Sequence, residues 1–217
     1  MSSIKAVVFD FGGVFTTSPV ANFIHYEREN GLPEKFLGGV IKQNHHTNAW
    51  AQFERGEISR ADFDKAYAVE TAAAGHEVRG ETLLSLLKLD AEPVMIDAFH
   101  QVKRAGYQTG CITNNFADMD SIAMVRDSAQ AKEADKVFSA FDQVIESSKA
   151  GVRKPQPEIY QMMCQRLNVL PDECVFLDDL GINLKPARAL GMHTIKVEVG
   201  NVKPAADELL TFLQLKD

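Results

Sequence analysis

A doubly wound parallel α/β sheet carrying an all-helical insertion is the fold this sequence predicts, and two observations predict it. Short apolar runs at 4–9 (IKAVVF), 107–112 (YQTGCI) and 174–177 (CVFL) alternate with stretches of helical periodicity. Strands alternating with helices build a parallel sheet covered on both faces. Between about residues 17 and 98 the alternation stops and only amphipathic helical patterns run.

Taken in order, the run 4–9 is a buried strand that drives into Asp10, and Gly12 and Gly13 then supply backbone freedom for a loop. The insertion holds helical patterns at 19–30, 33–43, 47–55, 59–74 and 80–89. Ser59, with Asp62 ahead of Phe63, Ala66 and Tyr67, reads as an N-cap and first turn. Residues 94–105 place apolar side chains at helical spacing and stop at Gly106. The polar, alanine-rich stretch 127–136 reads as a solvated loop or a helix end, and 141–145 (FDQVI) as a further strand. Pro157 and Glu158 suit the first turn of a helix over 157–168. A helix over 183–190 runs to Gly191, ahead of a weaker strand at 193–197. The expected division is a Rossmann-like core of residues 1–16 and 99–217 with a helical cap of residues 17–98.

Composition narrows the function. The chain has 217 residues, 45% of them hydrophobic, enough for one core and a small second one. A net charge of −7 argues against a nucleic-acid or anionic-membrane surface. The three cysteines, Cys111, Cys164 and Cys174, lack metal-type spacing and read as reduced thiols in or near the core. No apolar run reaches the ~20 residues of a membrane span, and no signal-peptide pattern opens the chain, so the expectation is a cytoplasmic protein, monomer or homodimer.

Four strand ends carry polar clusters, and the ends of strands are where open α/β sheets bind ligands. Asp10 is the first. Thr113-Asn114-Asn115 follows Cys111-Ile112 and reads either as a phosphate cradle or as a helix cap. Lys154 stands before Pro155, which biases it toward extended geometry and aims its ammonium. Asp178-Asp179 follows a buried run, and two adjacent carboxylates there call for a nearby cation. Together they describe a site in which Asp10 and Asp179 offer hard oxygens to Mg²⁺, Lys154 and Thr113 neutralise and orient a phosphate, and Asp10 attacks phosphorus.

The segments AVVFDFGGVF, FERGEIS, CITNN, GVRKPQPEIY and VFLDDLGINLKPARALGMHTI resemble the haloacid dehalogenase-like hydrolase superfamily along the whole chain. They are similar in particular to its branch that includes the N-terminal phosphatase domain of soluble epoxide hydrolase and related stand-alone hydrolases. The resemblance implies a Mg²⁺-dependent hydrolase of a small phosphorylated substrate. It makes Asp10 the nucleophile and a metal ligand, completed by the Gly12 carbonyl and the Asp179 carboxylate. It gives phosphate binding to Thr113, Asn114 and Lys154, and ligand orientation to Asp178 and Asn183.

One position departs from that pattern. Family phosphatases usually carry, two residues after the nucleophile, an aspartate that protonates the leaving oxygen; here it is Gly12. Losing a general acid/base costs on the order of 10²–10⁴ in rate. Three readings follow: a phosphatase for substrates with good leaving groups, a weakly active phosphate- and Mg²⁺-binding protein, or a 2-haloacid dehalogenase, whose Asp-x-Tyr-Gly-Thr pattern this loop does not match. Thr16, Thr17, His25, His45 and His46 are neighbours that could replace the acid, though such histidines are more often surface residues. The aromatic residues Phe23, Phe36, Trp50, Phe53, Phe63 and Tyr67 form either the core of the cap or the lining of an apolar pocket.

Overall fold

The computed structural model describes residues 3–87, 90–115 and 128–215. Its centre is a five-stranded parallel sheet of β1 (Ala6–Phe9), β2 (Gln108–Thr113), β3 (Gln143–Glu146), β4 (Cys174–Asp178) and β5 (His193–Lys196), in the order β3-β2-β1-β4-β5. The first strand is therefore central, flanked by β2 and β4, with Phe9 opposite both Cys111 and Leu177. The chain winds outward from β1 in both directions, so its C-terminal end is the topological switch point where such sheets open a crevice. Asp10 stands at that point, its N–H donating to the Leu177 carbonyl at 2.8 Å.

Side-chain alternation sends β1 into two cores. Val7 and Phe9 pack with helices α6 (Pro93–Arg104), α7 (Ser128–Ala140) and α11 (Lys203–Phe212), through residues such as Phe99, Val137 and Leu209. Phe9 lies within 5.3–6.1 Å, centroid to centroid, of the rings of Phe15, Phe99 and Phe141. Ala6 and Val8 face the other side, against α9 (Pro157–Leu167) and α10 (Gly181–Ala189). A strand buried on both faces has no polar alternation to show, which is why β1 and β4 read as continuous apolar runs. Cys111, Cys164 and Cys174 are buried free thiols in these cores.

The insertion consists of α1 (Val20–Glu29), α2 (Phe36–Lys42), α3 (Ala49–Glu54), α4 (Arg60–Ala73) and α5 (Gly80–Ser85). Ser59 caps α4 as expected, accepting a hydrogen bond from the Asp62 N–H. Phe53 stacks on Phe63 at 4.7 Å and Phe63 on Tyr67 at 5.6 Å. Phe23, Phe36, Phe53, Phe63 and Tyr67 are all buried in one cluster with Leu37 and Leu83, against which Trp50 packs. The aromatic residues are thus the insertion's own core.

Two sequence expectations change. The boundary at 98 falls inside α6, yet Met95 and Ile96 already pack in the sheet-side core. We place the end of the insertion at Glu92, where the two connecting strands run side by side. Thr16 bridges Ala91 in antiparallel fashion, the Thr17 N–H donates to the Asp90 carbonyl at 2.8 Å and the Glu92 N–H to the Phe15 carbonyl at 2.8 Å. The stretch 127–136 is helical from 128 onward, because Ala134 and Val137 bury a face against the sheet that composition alone concealed. Residue 127 lies outside the described residues, as do residues 88 and 89 of the fifth helical pattern. Among the described residues no helix is long and apolar enough to cross a membrane. One further segment, α8 (Ser147–Ala150), is a single turn after β3 for which the sequence carries no signal.

Candidate active site

The sheet brings Asp10, Thr113, Lys154, Asp178 and Asp179 to one edge, because each follows or ends a parallel strand or leaves the adjacent turn. One carboxylate oxygen from each of Asp10, Asp178 and Asp179 lies within 4.8 Å of the others. Lys154 Nζ reaches Asp10 Oδ1 at 2.7 Å and Asp178 Oδ2 at 2.8 Å, although its side chain is only 1% exposed. Asp10 Oδ1 also accepts from the Phe11 N–H at 2.6 Å. Both donors land on Oδ1, so among the described residues Oδ2 is the oxygen without a donor.

Asp178 is fully buried and saturated. Its Oδ1 accepts from the Leu180 N–H at 2.8 Å and its two oxygens from Asn183 Nδ2 at 3.0 and 3.1 Å. Asn183 is itself held by Tyr160, whose hydroxyl donates to the Asn183 carbonyl at 2.8 Å. Asp178 and Asn183 therefore orient Lys154 and the loop that follows β4. Asp179 is the more open carboxylate, and Lys196 Nζ donates to its carbonyl at 2.9 Å.

The electrostatics follow from crowding. Burial pushes the Asp10 carboxyl well above its ordinary range, with Lys154 opposing and the other two acids reinforcing. Burial and Asp178 push Asp179 up to about 6. Burial pulls the Lys154 ammonium down, but Asp10 and Asp178 outweigh it and hold the group protonated beyond its usual value. Three carboxyl groups against one ammonium leave a buried cluster of hard oxygens short of positive charge. That donor set fits a magnesium ion, which prefers carboxylate oxygens and neutralises the excess.

Gly13 has φ +74°, and a Cβ there would lie 2.6 Å from Asp179 Oδ2. Only glycine lets the β1 turn pass so close to the second acid. Gly12, in contrast, is exposed, and a Cβ there would meet nothing within 4 Å. Thr113 is buried at the end of β2, and among the described residues its hydroxyl has no hydrogen-bond partner. Asn114 differs from expectation: its side chain is turned onto the Lys154 backbone, Oδ1 accepting the N–H at 2.9 Å and Nδ2 donating to the carbonyl at 3.0 Å. It builds the lysine loop with its amide and retains only its main chain for an anion.

The candidate replacement acids have partners of their own. Thr17 Oγ1 accepts from the Asp90 N–H at 3.0 Å in the connection to the insertion, and Thr16 Oγ1 accepts from the Gly13 N–H at 3.4 Å. His25 is exposed and pairs with Glu29. The His45 and His46 rings lie 3.9 Å apart. Sequence reasoning missed Ser147 and Arg153, which with Asn115 tie these loops together. Their one signal is position: each adjoins or closely follows a recognised strand-end cluster.

Comparison with known proteins agrees with this geometry. The family model for haloacid dehalogenase-like hydrolases matches residues 4–191. The chain is 32% identical to mouse bifunctional epoxide hydrolase 2 over 95% of its length and 38% of that protein's. It is 27% identical to the sesquiterpene phosphatase astK of Aspergillus oryzae, covering 99% of this chain and 96% of that one. The chain spans 18–40% of the length of the mammalian relatives it matches. A haloacid dehalogenase-family enzyme of Bacteroides thetaiotaomicron, solved with magnesium and inorganic phosphate, superposes with a TM-score of 0.60 at 20% identity, covering 92% of this chain and 96% of that chain. With the family model spanning both lobes and the fold matched over nearly all residues, the chain belongs to the haloacid dehalogenase-like hydrolases.

Proposed function

We propose that the protein is a Mg²⁺-dependent phosphatase of small organic phosphate monoesters, working through an aspartyl-phosphate and suited to substrates with good leaving groups. The observation that carries this reading is Asp10, held on Oδ1 by Lys154 and Phe11 with Oδ2 left for attack. The fold neighbour solved with magnesium and inorganic phosphate, and the full-length relative named a phosphatase, support it.

In the first step Asp10 Oδ2 attacks phosphorus, an O–P bond forms, and the bond to the leaving oxygen breaks. Lys154 remains an ammonium and offsets charge on the phosphoryl oxygens. The Thr113 hydroxyl and the main chain that follows it orient the phosphoryl group. When bound among Asp10, Asp179 and the Gly12 carbonyl, magnesium supplies electrostatic stabilisation of the phosphoryl charge. With glycine at position 12, the leaving oxygen takes its proton from water, which suits aryl, acyl and sugar-1-phosphates. Water then attacks phosphorus, the Asp10–phosphorus bond breaks, and phosphate leaves with the carboxylate restored.

A screen of aryl, acyl and sugar-1-phosphates with Mg²⁺ or EDTA tests this. Hydrolysis that needs Mg²⁺ and disappears in Asp10→Asn is expected. Halide release from a 2-haloacid in EDTA would replace this reading by the dehalogenase one. Silence on every phosphate, with Mg²⁺ and vanadate still bound, would leave a binding protein.

A further inference from the structure

We propose that Glu54, in the helical insertion, is a positioning residue that couples seating of the insertion to the alignment of the two phosphate-facing loops. The proposal rests on the phosphatase reading only in calling those loops phosphate-facing.

Glu54 ends α3 and is 5% exposed. It reaches the sheet domain twice, once through each part of the residue. Its carbonyl accepts from Ser147 Oγ at 2.5 Å, and the same Oγ accepts from the Asn115 N–H at 3.0 Å. Asn115 closes that junction from the other side: its Oδ1 accepts from Ser148 Oγ at 2.9 Å and its Nδ2 donates to Glu146 at 2.7 Å. The main chain of Glu54 is thereby joined to the loop after β2. Its carboxylate forms an ion pair with Arg153 and accepts from the Trp50 indole. Arg153 Nη1 also donates to the His45 carbonyl at 2.7 Å, and its own N–H donates to Gln156 Oε1 at 3.0 Å. Arg153 immediately precedes Lys154, so the side chain of Glu54 is joined to the loop that delivers the ammonium to Asp10.

The contact is close because the chain after α3 permits it. Gly56 has φ +68°, and a Cβ there would lie 2.8 Å from the Ser148 carbonyl oxygen. The seam is also polar where an apolar one would hold as well. A buried ion pair adds little net stability over packed hydrocarbon, and here, among the described residues, Glu54 Oε2 and Arg153 Nε make no hydrogen bond, so the pair joins charge to charge while Nη1 on the His45 carbonyl sets the direction of the guanidinium. With the insertion seated, Arg153 and Asn115 are both clamped, and Lys154 and Thr113 flank one point. With it lifted, both clamps are lost together.

Amide hydrogen exchange on the full chain, with turnover of p-nitrophenyl phosphate, tests this. Glu54→Gln is expected to speed exchange of the Lys154 and Asn115 amides about tenfold or more and to lower kcat by a similar factor, leaving α4 protection unchanged. That variant also buries an unpaired Arg153, so stability falls. The double variant Glu54→Gln/Arg153→Gln removes both charges and regains the thermal midpoint, but not the amide protection or kcat. The proposal is overturned if both amides keep wild-type exchange in the two variants, if α4 loosens equally, or if the double variant regains kcat together with stability. A wild type inactive on phosphates would sink the phosphatase reading alone, since the exchange measurement still decides the coupling.

Discussion

Asn114 and Lys154 form a two-way hydrogen-bonded pair in which a side-chain amide completes the backbone of the lysine it faces, at 2.9 and 3.0 Å. Removing it frees both main-chain groups of Lys154 in a half-buried loop. Asn114→Ala is expected to cost about 1–3 kcal/mol, at the net worth of two hydrogen bonds. It should also lower kcat/KM on an aryl phosphate about tenfold to a hundredfold through misplacement of the ammonium. Urea denaturation and steady-state kinetics measure the two effects separately.

Position 12 has room for the acid it lacks, since a Cβ there meets nothing within 4 Å and the residue is not among the glycines with positive φ. Gly12→Asp is expected to fold normally and to raise turnover of alkyl phosphates by on the order of 10²–10⁴. Aryl phosphates, whose departure depends little on a protein acid, should gain far less. An equal gain on both classes would mean that the new carboxyl does not serve the leaving oxygen.

The acid pair gives the metal site a pH dependence with a definite sign. Asp179 is raised from an ordinary value of 3.8 to about 6, so protons compete for it below about pH 6. The stabilisation that Mg²⁺ adds should therefore be present at pH 7.5 and lost at pH 5, read as the shift in thermal midpoint on adding Mg²⁺. Without metal the sign reverses. Between about 4 and 6 the folded state binds more protons than the unfolded one, so this group makes the protein less stable as pH rises through that window. Asp179→Asn should raise the midpoint at pH 7.5 in EDTA and abolish the response to Mg²⁺.

Tyr67 carries a hydroxyl that is buried in the insertion's core with no hydrogen-bond partner among the described residues, and burial raises its ionisation beyond the usual range. A buried, unmatched polar group is a cost without return. Tyr67→Phe keeps the ring stacked on Phe63 and should be neutral or stabilising by about 1 kcal/mol, measured by urea denaturation. Phe63→Ala, which leaves a void between two stacked rings, should cost about 3–5 kcal/mol.

Much of this arrangement was legible before any coordinates. Buried strands such as Cys174–Asp178 announce themselves because both faces are apolar, and the acids behind them fall at strand ends by necessity. The helix at Ser128–Ala140 was not legible, because alanine in the buried positions carries almost no periodic signal. For Asn114, spacing along the chain locates the residue, while the direction of its amide depends on a loop forty positions later. Arg153 and Glu54 were invisible as a pair for the same reason, since nothing local in either segment names the other.

The antiparallel bridge between Thr16 and Ala91 has a consequence for how such a protein diversifies. Bridge partners of this kind lie only about 4.5–5.5 Å apart, Cα to Cα. Outgoing and returning chain thus cross one narrow gate, and everything strung between them is an excursion from a sheet whose own path is already closed. Evolution can lengthen, shorten or exchange that excursion without re-laying a single strand, so long as whatever replaces it still meets the loops at Ser147 and Arg153.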